Sequence, residues 1–402
     1  MQAFQDLGQS IQALWKNERF ELQAFARIAS AALHGSQLHQ RVKVTDLLEW
    51  LRTTPCLPEQ HDLAGKFAQP PLTVYRGDGF FIDALFWNEA TTSIHQHRFS
   101  GAFSVLSGSS LHTEYSFEQR ERINQRLLLG DLRLRQIELL QEGDVRPIHS
   151  GSAFIHSVFH LERPTVSVVV RTIRDPGTDP QYDYHRPGLA IDAHGEYPRR
   201  ERLRQTFELL KNGIPAQYLP FVREVALDDP ELAYWALGHA YGRCTAEEWA
   251  ELVSATAKRH GPAIHRFVES FEERAWERQL IARRANTTVA DQRFFLAVLL
   301  NAPDRSTARD LIQARFPHQG ADEALVDLTF GLHSKSGSEL SPATHEFVRL
   351  VLTGADFGDV MTQLDQRYAS AEIRAQAPAL ESLHGSFRSS PLFRRLFVDS
   401  AA

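Results

Sequence analysis

The chain has 402 residues, 43% of them hydrophobic and 23% charged, with a net charge of −6. These values fit a folded soluble protein of one very large or two to three ordinary domains, and they argue against a general nucleic-acid surface. Cys56 and Cys244 are the only cysteines, so no disulfide framework is expected and a reducing, cytoplasmic setting follows.

In chain order, Leu7, Ile11, Leu14 and Trp15 recur at helical spacing. A second helical run extends from about Phe20 to Leu33 and ends at Gly35. A third begins at Thr45 as N-cap, with Asp46 in the first turn, and is stopped by Pro55 and Pro58. The start of the chain lacks the basic stretch and apolar core of a secretory signal. No apolar run approaches the roughly 20 residues that span a bilayer, so no membrane partner is expected.

The texture changes at Pro70-Pro71. Short runs rich in β-branched and aromatic residues follow: Leu72–Tyr75, Gly79–Trp87, Gly101–Gly108, Ser110–Phe117, Arg135–Leu140, Ala153–Leu161 and Pro164–Ile173. Turn signals at Gly77-Asp78-Gly79, Gly108-Ser109 and Gly143-Asp144 separate them, a pattern that predicts a sandwich or barrel. Loops around Gly177, Pro180 and Pro187-Gly188 close the region. From about Arg199 the helical period returns. Pro230 follows Asp229 at a favoured first helical position, and Thr245 to Glu248 forms a capping-box pattern. Further helices are expected after Gly261-Pro262, around Phe294 to Leu300, around Thr307 to Ala314, and from a Ser341 cap through Leu352. No strict repeat period appears.

The chemically informative segment runs from Thr91 to Gly108 and holds His95 and His97. Residues two apart on a strand point to one face, so both imidazoles aim at one point. A pair of histidines on an exposed strand face is the alternative reading. A second segment, from Glu142 to His160, places a turn, a strand and His156 some 60 residues downstream. His112 and Glu114, two apart on the intervening strand, are further candidates for ligand or base.

Together these segments resemble the paired motifs of the cupin superfamily, over about 120 residues. His95-Gln-His97 is followed by Gly108 where the first motif closes, and Gly143, Gly151 and His156 follow the second. The glutamate ligand usual in that family falls at Gly101 or Ala102 and is absent. The resulting three-histidine set resembles the cysteine dioxygenase-like branch, as do Phe86-Trp87 ahead of the first motif and Glu162 to Ser167 after the second. The resemblance implies a substrate-gripping arginine on an earlier strand, which Arg76 matches. It also implies a role beside the metal for His160, at the second motif's final position. The branch's Ser-x-His-x-Tyr triad would fall on Ser167, Val169 and Arg171, of which only the serine agrees. Arg171 otherwise reads as a solvated strand end.

The expected fold is α+β: an N-terminal helical segment (1–64), a cupin-type metal-binding barrel (65–195) and a large all-helical C-terminal domain (196–402). The resemblance implies a mononuclear non-haem Fe(II)-dependent, thiol dioxygenase-like oxygenase. His95, His97 and His156 would be its ligands, and Fe(II) or another first-row divalent ion its cofactor. Its partners would be O2 and a small polar anionic substrate, with no nucleic acid. The rivals are a non-oxidative metal-dependent isomerase or decarboxylase, and a non-catalytic cupin that senses a small molecule. The sequence names neither substrate nor oligomeric state.

Overall fold

The computed structural model describes all residues except 64–66, 89–91, 178–179, 334–340, 369 and 399–402, together with the side chains of 370 and 372. The expected boundary at 64/65 and Thr91 at the head of the histidine segment therefore lie outside the described residues.

The α+β architecture is present. Helices α1 (Gln2–Asn17), α2 (Leu22–Ser36), α3 (Leu38–Arg41) and α4 (Val44–Thr53) come first. α1 buries Phe4, Leu7, Ile11 and Trp15 along one stripe, while Leu14 stays exposed. α4 is capped two residues earlier than expected. The backbone N–H of Lys43 donates to the Asp46 carboxylate at 2.9 Å, so the acidic first-turn residue closes the turn and Thr45 already lies inside the helix.

Among the described residues eleven strands follow: β1 (Pro71–Arg76), β2 (Phe80–Trp87), β3 (Ile94–His97), β4 (Gly101–Ser107), β5 (Ser110–Asn124), β6 (Leu127–Leu140), β7 (Val145–Ile148), β8 (Gly151–His160), β9 (Thr165–Thr172), β10 (Tyr182–His185) and β11 (Leu189–Asp192). β1-β2-β9-β4-β7 form a five-stranded sheet. β10-β11-β6-β5-β8-β3 form a closed barrel, with β10 pairing back onto β3. Two features depart from the sequence expectation. The β5–β6 hairpin runs past Phe117 to Asn124 and starts its return at Leu127. Its outer end carries Glu118 to Arg122, partly or fully exposed, so no hydrophobic alternation marks it. β10 and β11 lie among the Pro180, Pro187 and Gly188 loop signals, and at four residues each they are too short to show a period.

Period two decides what each sheet presents on each face. Ile82, Ala84 and Phe86 of β2 and Val166, Val168 and Val170 of β9 pack with the N-terminal helices in one core. The residues between them, Asp83, Leu85 and Trp87 with Ser167, Val169 and Arg171, line a cavity on the opposite side. In the barrel, Ile94 and Ile155 join Tyr115, Tyr182 and Tyr184 in a separate cluster. Their neighbours His95 and His156 line the same cavity as the β2 and β9 side chains. The cavity therefore lies between the five-stranded sheet and the histidine-bearing side of β3, β8 and β5.

From Pro198 the described chain is helical to Phe397. Thr245 caps Ala246–His260, its hydroxyl accepting from Glu248 N–H at 3.2 Å while the Glu248 carboxylate accepts from Thr245 N–H at 2.8 Å. Asp229 and Ser341 cap their helices as their positions suggest. Four helices had no clear signal in sequence: Pro215–Asp228, Ala321–His333, Phe357–Arg367 and Ser370–Ser389. Two cores join this half to the strands. Leu111, Phe159 and Leu161 pack with Trp276, Phe294 and Phe295, and Leu127, Leu129, Leu189 and Ile191 pack with Phe207, Tyr234 and Phe267. Among the described residues, no helix is long and apolar enough to cross a membrane.

Candidate metal centre

β3 delivers His95 and His97 from one face, and β8 delivers His156 directly opposite His95 in the antiparallel register. A register shift between His95 and His97 lets both rings converge although Gly151, not a third imidazole, stands opposite His97. One ring nitrogen from each histidine lies within 4.8 Å of the others. All three are buried.

Each ring is held by a different device. His95 Nδ1 lies 2.7 Å from the Ser93 carbonyl, to which it donates, so Nε2 is left toward the cavity. His156 Nδ1 lies 3.2 Å from His112 Nε2, and His112 Nδ1 lies 3.0 Å from Glu138 Oε1. Arg146 grips the same carboxylate twice, at 2.8 and 2.5 Å. Burial pushes the Glu138 carboxyl up, but hydrogen bonds from Arg146 and His112 more than offset it and hold it at about 2. The ionised carboxylate thus orients His112, which orients His156. His112 stands behind His156 and backs a ligand rather than adding one. Glu114 pairs with His156 across the β5–β8 ladder but is not among the residues lining the cavity. His97 Nδ1 is buried with no partner among the described residues.

Burial lowers the pKa of all three histidines, well below the ordinary value for His97 and His156, and the neighbouring imidazoles add to the effect. Neutral rings are what a metal requires. With Nδ1 of His156 engaged behind it, the Nε2 atoms of His97 and His156 face one another at 2.8 Å. A shared cation reconciles two such lone pairs, and metal–imidazole bonds of about 2.1 Å place adjacent nitrogens near this separation. The donor set therefore fits a divalent metal. The position of the family's glutamate is closed: a Cβ on Gly101 would stand 2.0 Å from the Val170 carbonyl oxygen. Ala102 belongs to the core on the far face of the sheet.

The cavity has a volume of ≈ 380 Å³. Arg171, read from sequence as solvated, lines it. Its guanidinium lies between the Phe81 and Phe99 rings, 4.3 and 4.5 Å from their centroids, and its Nε is 3.9 Å from Asp83 Oδ2. Strand parity was the available signal, because Arg171 shares a face with Ser167 and Val169. Arg76 does not line the cavity. It sits at the end of β1, 3.2 Å from Glu59 and 3.2 Å from His61. His160 does line it, but four strand residues beyond His156, about 13 Å at the usual rise. That distance is too long for contact with the same ion. Ser167 of the supposed triad accepts from Trp87 Nε1 at 2.9 Å, with no histidine in the relay. The loop residues His61 and His194 also line the cavity, and nothing in the strand pattern marks them. His194 lies 3.0 Å from Asp183, whose hydrogen bond raises its pKa.

No family model and no curated protein matches the sequence. Among solved structures, the chain is similar to a cupin-2 domain protein from Shewanella frigidimarina at 13% identity and a TM-score of 0.20, covering 33% of this chain and 93% of that one. A double-stranded β-helix protein from Klebsiella pneumoniae matches at 14% identity and a TM-score of 0.19, covering 33% and 97%. A hydroquinone 1,2-dioxygenase matches at 14% identity and a TM-score of 0.18, covering 26% and 64%. At this level the likeness carries no argument about activity. The fold reading rests on the strand order, and the chemical reading on three buried imidazoles converging in one cavity.

Proposed function

We propose that the protein is a mononuclear metal-dependent oxygenase that holds Fe(II) through His95, His97 and His156 and acts, with O2, on an anionic organic substrate. The nearest reaction class is that of the thiol dioxygenases. The observation that carries the reading is the donor set: three neutral buried imidazoles with no carboxylate among them, facing a cavity that also holds the Arg171 guanidinium. Three neutral ligands leave the charge of a divalent ion uncompensated, which favours an anionic substrate donor at the open positions. When bound, iron supplies the one-electron chemistry with O2 that side chains lack.

The chain's own residues do the rest. Arg171 pairs with and orients a substrate carboxylate, taking the role that the resemblance assigned to Arg76. Phe81 and Phe99 hold the guanidinium plane. Phe103, Val105, Val158 and Val169 wall the cavity and exclude water. The His112–Glu138–Arg146 chain keeps His156 in the tautomer that offers Nε2. His160 serves the far end of the cavity.

Metal analysis and oxygen uptake test the reading together. Protein purified without chelators should carry up to one equivalent of iron or a neighbouring divalent metal, and His97→Ala or His156→Ala should lose it. The Fe(II) form should consume O2 only with an anionic substrate present. Full metal retention in both variants would remove the site. Turnover unchanged without O2 would point to an isomerase or decarboxylase. Ligand binding unaffected by metal would point to a sensor.

A further inference from the structure

The cavity continues past the metal end. On β8 its lining runs His156, Val158, His160, on β9 Arg171, Val169, Ser167, and on β2 Asp83, Leu85, Trp87. In the β2–β9 register Asp83 pairs with Val169 and Leu85 with Ser167. Each strand therefore changes character in the same order, with β2 offset from β9 by one lining position. The lining is ionic and metal-ligating at one end, aliphatic in the middle, and polar again at the other end.

The far end is built. The His160 ring stacks on the Trp87 indole, centroids 4.4 Å apart and planes 15° apart. Trp87 Nε1 is engaged by Ser167 at 2.9 Å, and His160 Nδ1 lies 3.0 Å from Ser110 Oγ. His160 is 4% exposed, and its Nε2 has no hydrogen-bond partner among the described residues. Burial lowers its pKa to about 3, helped by Arg284, whose guanidinium donates to the His160 carbonyl at 2.8 Å. A buried nitrogen without a partner is costly unless something supplies one.

We infer that the cavity takes an elongated monocarboxylate whose head lies between the metal and Arg171, whose apolar body fills the middle, and whose uncharged hydroxyl-type terminus bonds His160 Nε2. This rests on the metal-centre reading for its head end only. The 13 Å or so between His156 and His160 leaves roughly 8 Å for the ligand once metal-bond and hydrogen-bond lengths are allowed for. That is close to the length of 4-hydroxyphenylacetate or 6-hydroxyhexanoate. A three-carbon amino acid such as cysteine reaches the head end alone and leaves most of the cavity unfilled. A charged amine bonded to His160 is disfavoured, because the Arg284 guanidinium stands behind that residue.

Binding to Zn(II)-loaded protein, which turns nothing over, tests this by titration calorimetry. The probes are acetate, propanoate, hexanoate, 6-hydroxyhexanoate, phenylacetate and 4-hydroxyphenylacetate. The long acids should bind at least 30-fold more tightly than acetate or propanoate. The terminal hydroxyl should add 5-fold or more in the wild type and nothing in His160→Phe. If His160→Phe fails to fold, Ser110→Ala should still reduce the hydroxyl's advantage. Val158→Phe should weaken the long acids 10-fold or more and spare acetate. A flat affinity across the series, no binding by any long acid, or a hydroxyl advantage unchanged in both far-end variants would overturn the inference. Repeating the series on metal-free protein separates the two readings. Length dependence in protein that binds no stoichiometric Zn(II) refutes only the metal centre, whereas stoichiometric Zn(II) with no length dependence refutes only the elongated ligand.

Discussion

At the scale of single residues, the informative contrast is between Arg76 and Arg171. Both end strands in the sequence, and both are compatible with a solvated guanidinium. Arg76 is paired with Glu59 outside the cavity. Arg171 is held between two aromatic rings, and Asp83 at 3.9 Å is its ionic neighbour. Burial lowers the Arg171 pKa, and Asp83 opposes the shift. A guanidinium held this way exchanges little solvation for a substrate carboxylate and keeps its plane fixed, so its removal should cost the substrate one charge-assisted contact. Arg171→Ala is expected to weaken carboxylate binding by about 1.5–3 kcal/mol. Arg171→Lys should recover part of that at most, because an ammonium cannot make the planar two-point contact. Arg76→Ala should change binding little. Calorimetric titration of the three variants with one carboxylate checks the ordering, and equal losses at Arg76 and Arg171 would refute it.

At the scale of elements, β4 explains why the metal set has no carboxylate. Gly101 opens that strand between β7 and β9 and pairs with Arg171, with the β9 backbone too close for any side chain. The glycine that departs from the family pattern is therefore required by strand packing. Gly101→Ala should cost about 3 kcal/mol, at the upper end of overpacking, and should disturb Arg171 on the paired strand. Thermal unfolding and carboxylate affinity should both fall. A variant with unchanged melting temperature would contradict the close approach. The histidine elements were legible because period two is readable from sequence, and His95, His97 and His156 stand at motif spacings. β10 was not legible. Its four residues carry no period, yet it closes the barrel by placing Tyr184 against Ile94 and Asp183 against His95.

At the scale of the whole molecule, the helical half and the strands share cores, and one buried cation joins them at the cavity's far end. Arg284 reaches from Ala263–Ala285 to the carbonyls of His160 and Leu161 at 2.8 and 2.9 Å, with its guanidinium 4.7 Å from the Phe159 ring centroid. It caps the end of β8, whose His160 pairs with Ser110 of β5. Arg284→Met keeps the bulk and leaves those carbonyls without the guanidinium, at a cost of about 2–4 kcal/mol. The melting temperature should drop by several degrees, and proteolysis between β11 and the helix Pro198–Gly213 should accelerate. Metal content should be unchanged, because the three ligands lie at the other end of the cavity. Loss of metal with no loss of stability would show that the helical half supports the ligands directly.

The sequence by itself determined the class of the fold and the three converging histidines, because alternation, turn residues and capping boxes act over a few neighbours and leave a local record. It also determined that the glutamate position of the resembled motif carries no carboxylate, since it falls on Gly101 or Ala102. The tertiary structure alone decided which arginine enters the cavity, that His112 and Glu138 stand behind His156, and that His160 lies at the far end. Each of these depends on which strands become neighbours and in what register. β5 meets β8, and β9 runs between β2 and β4, through pairings between residues 40 to 92 positions apart, and such pairings follow from long-range packing that leaves no periodic trace in the chain.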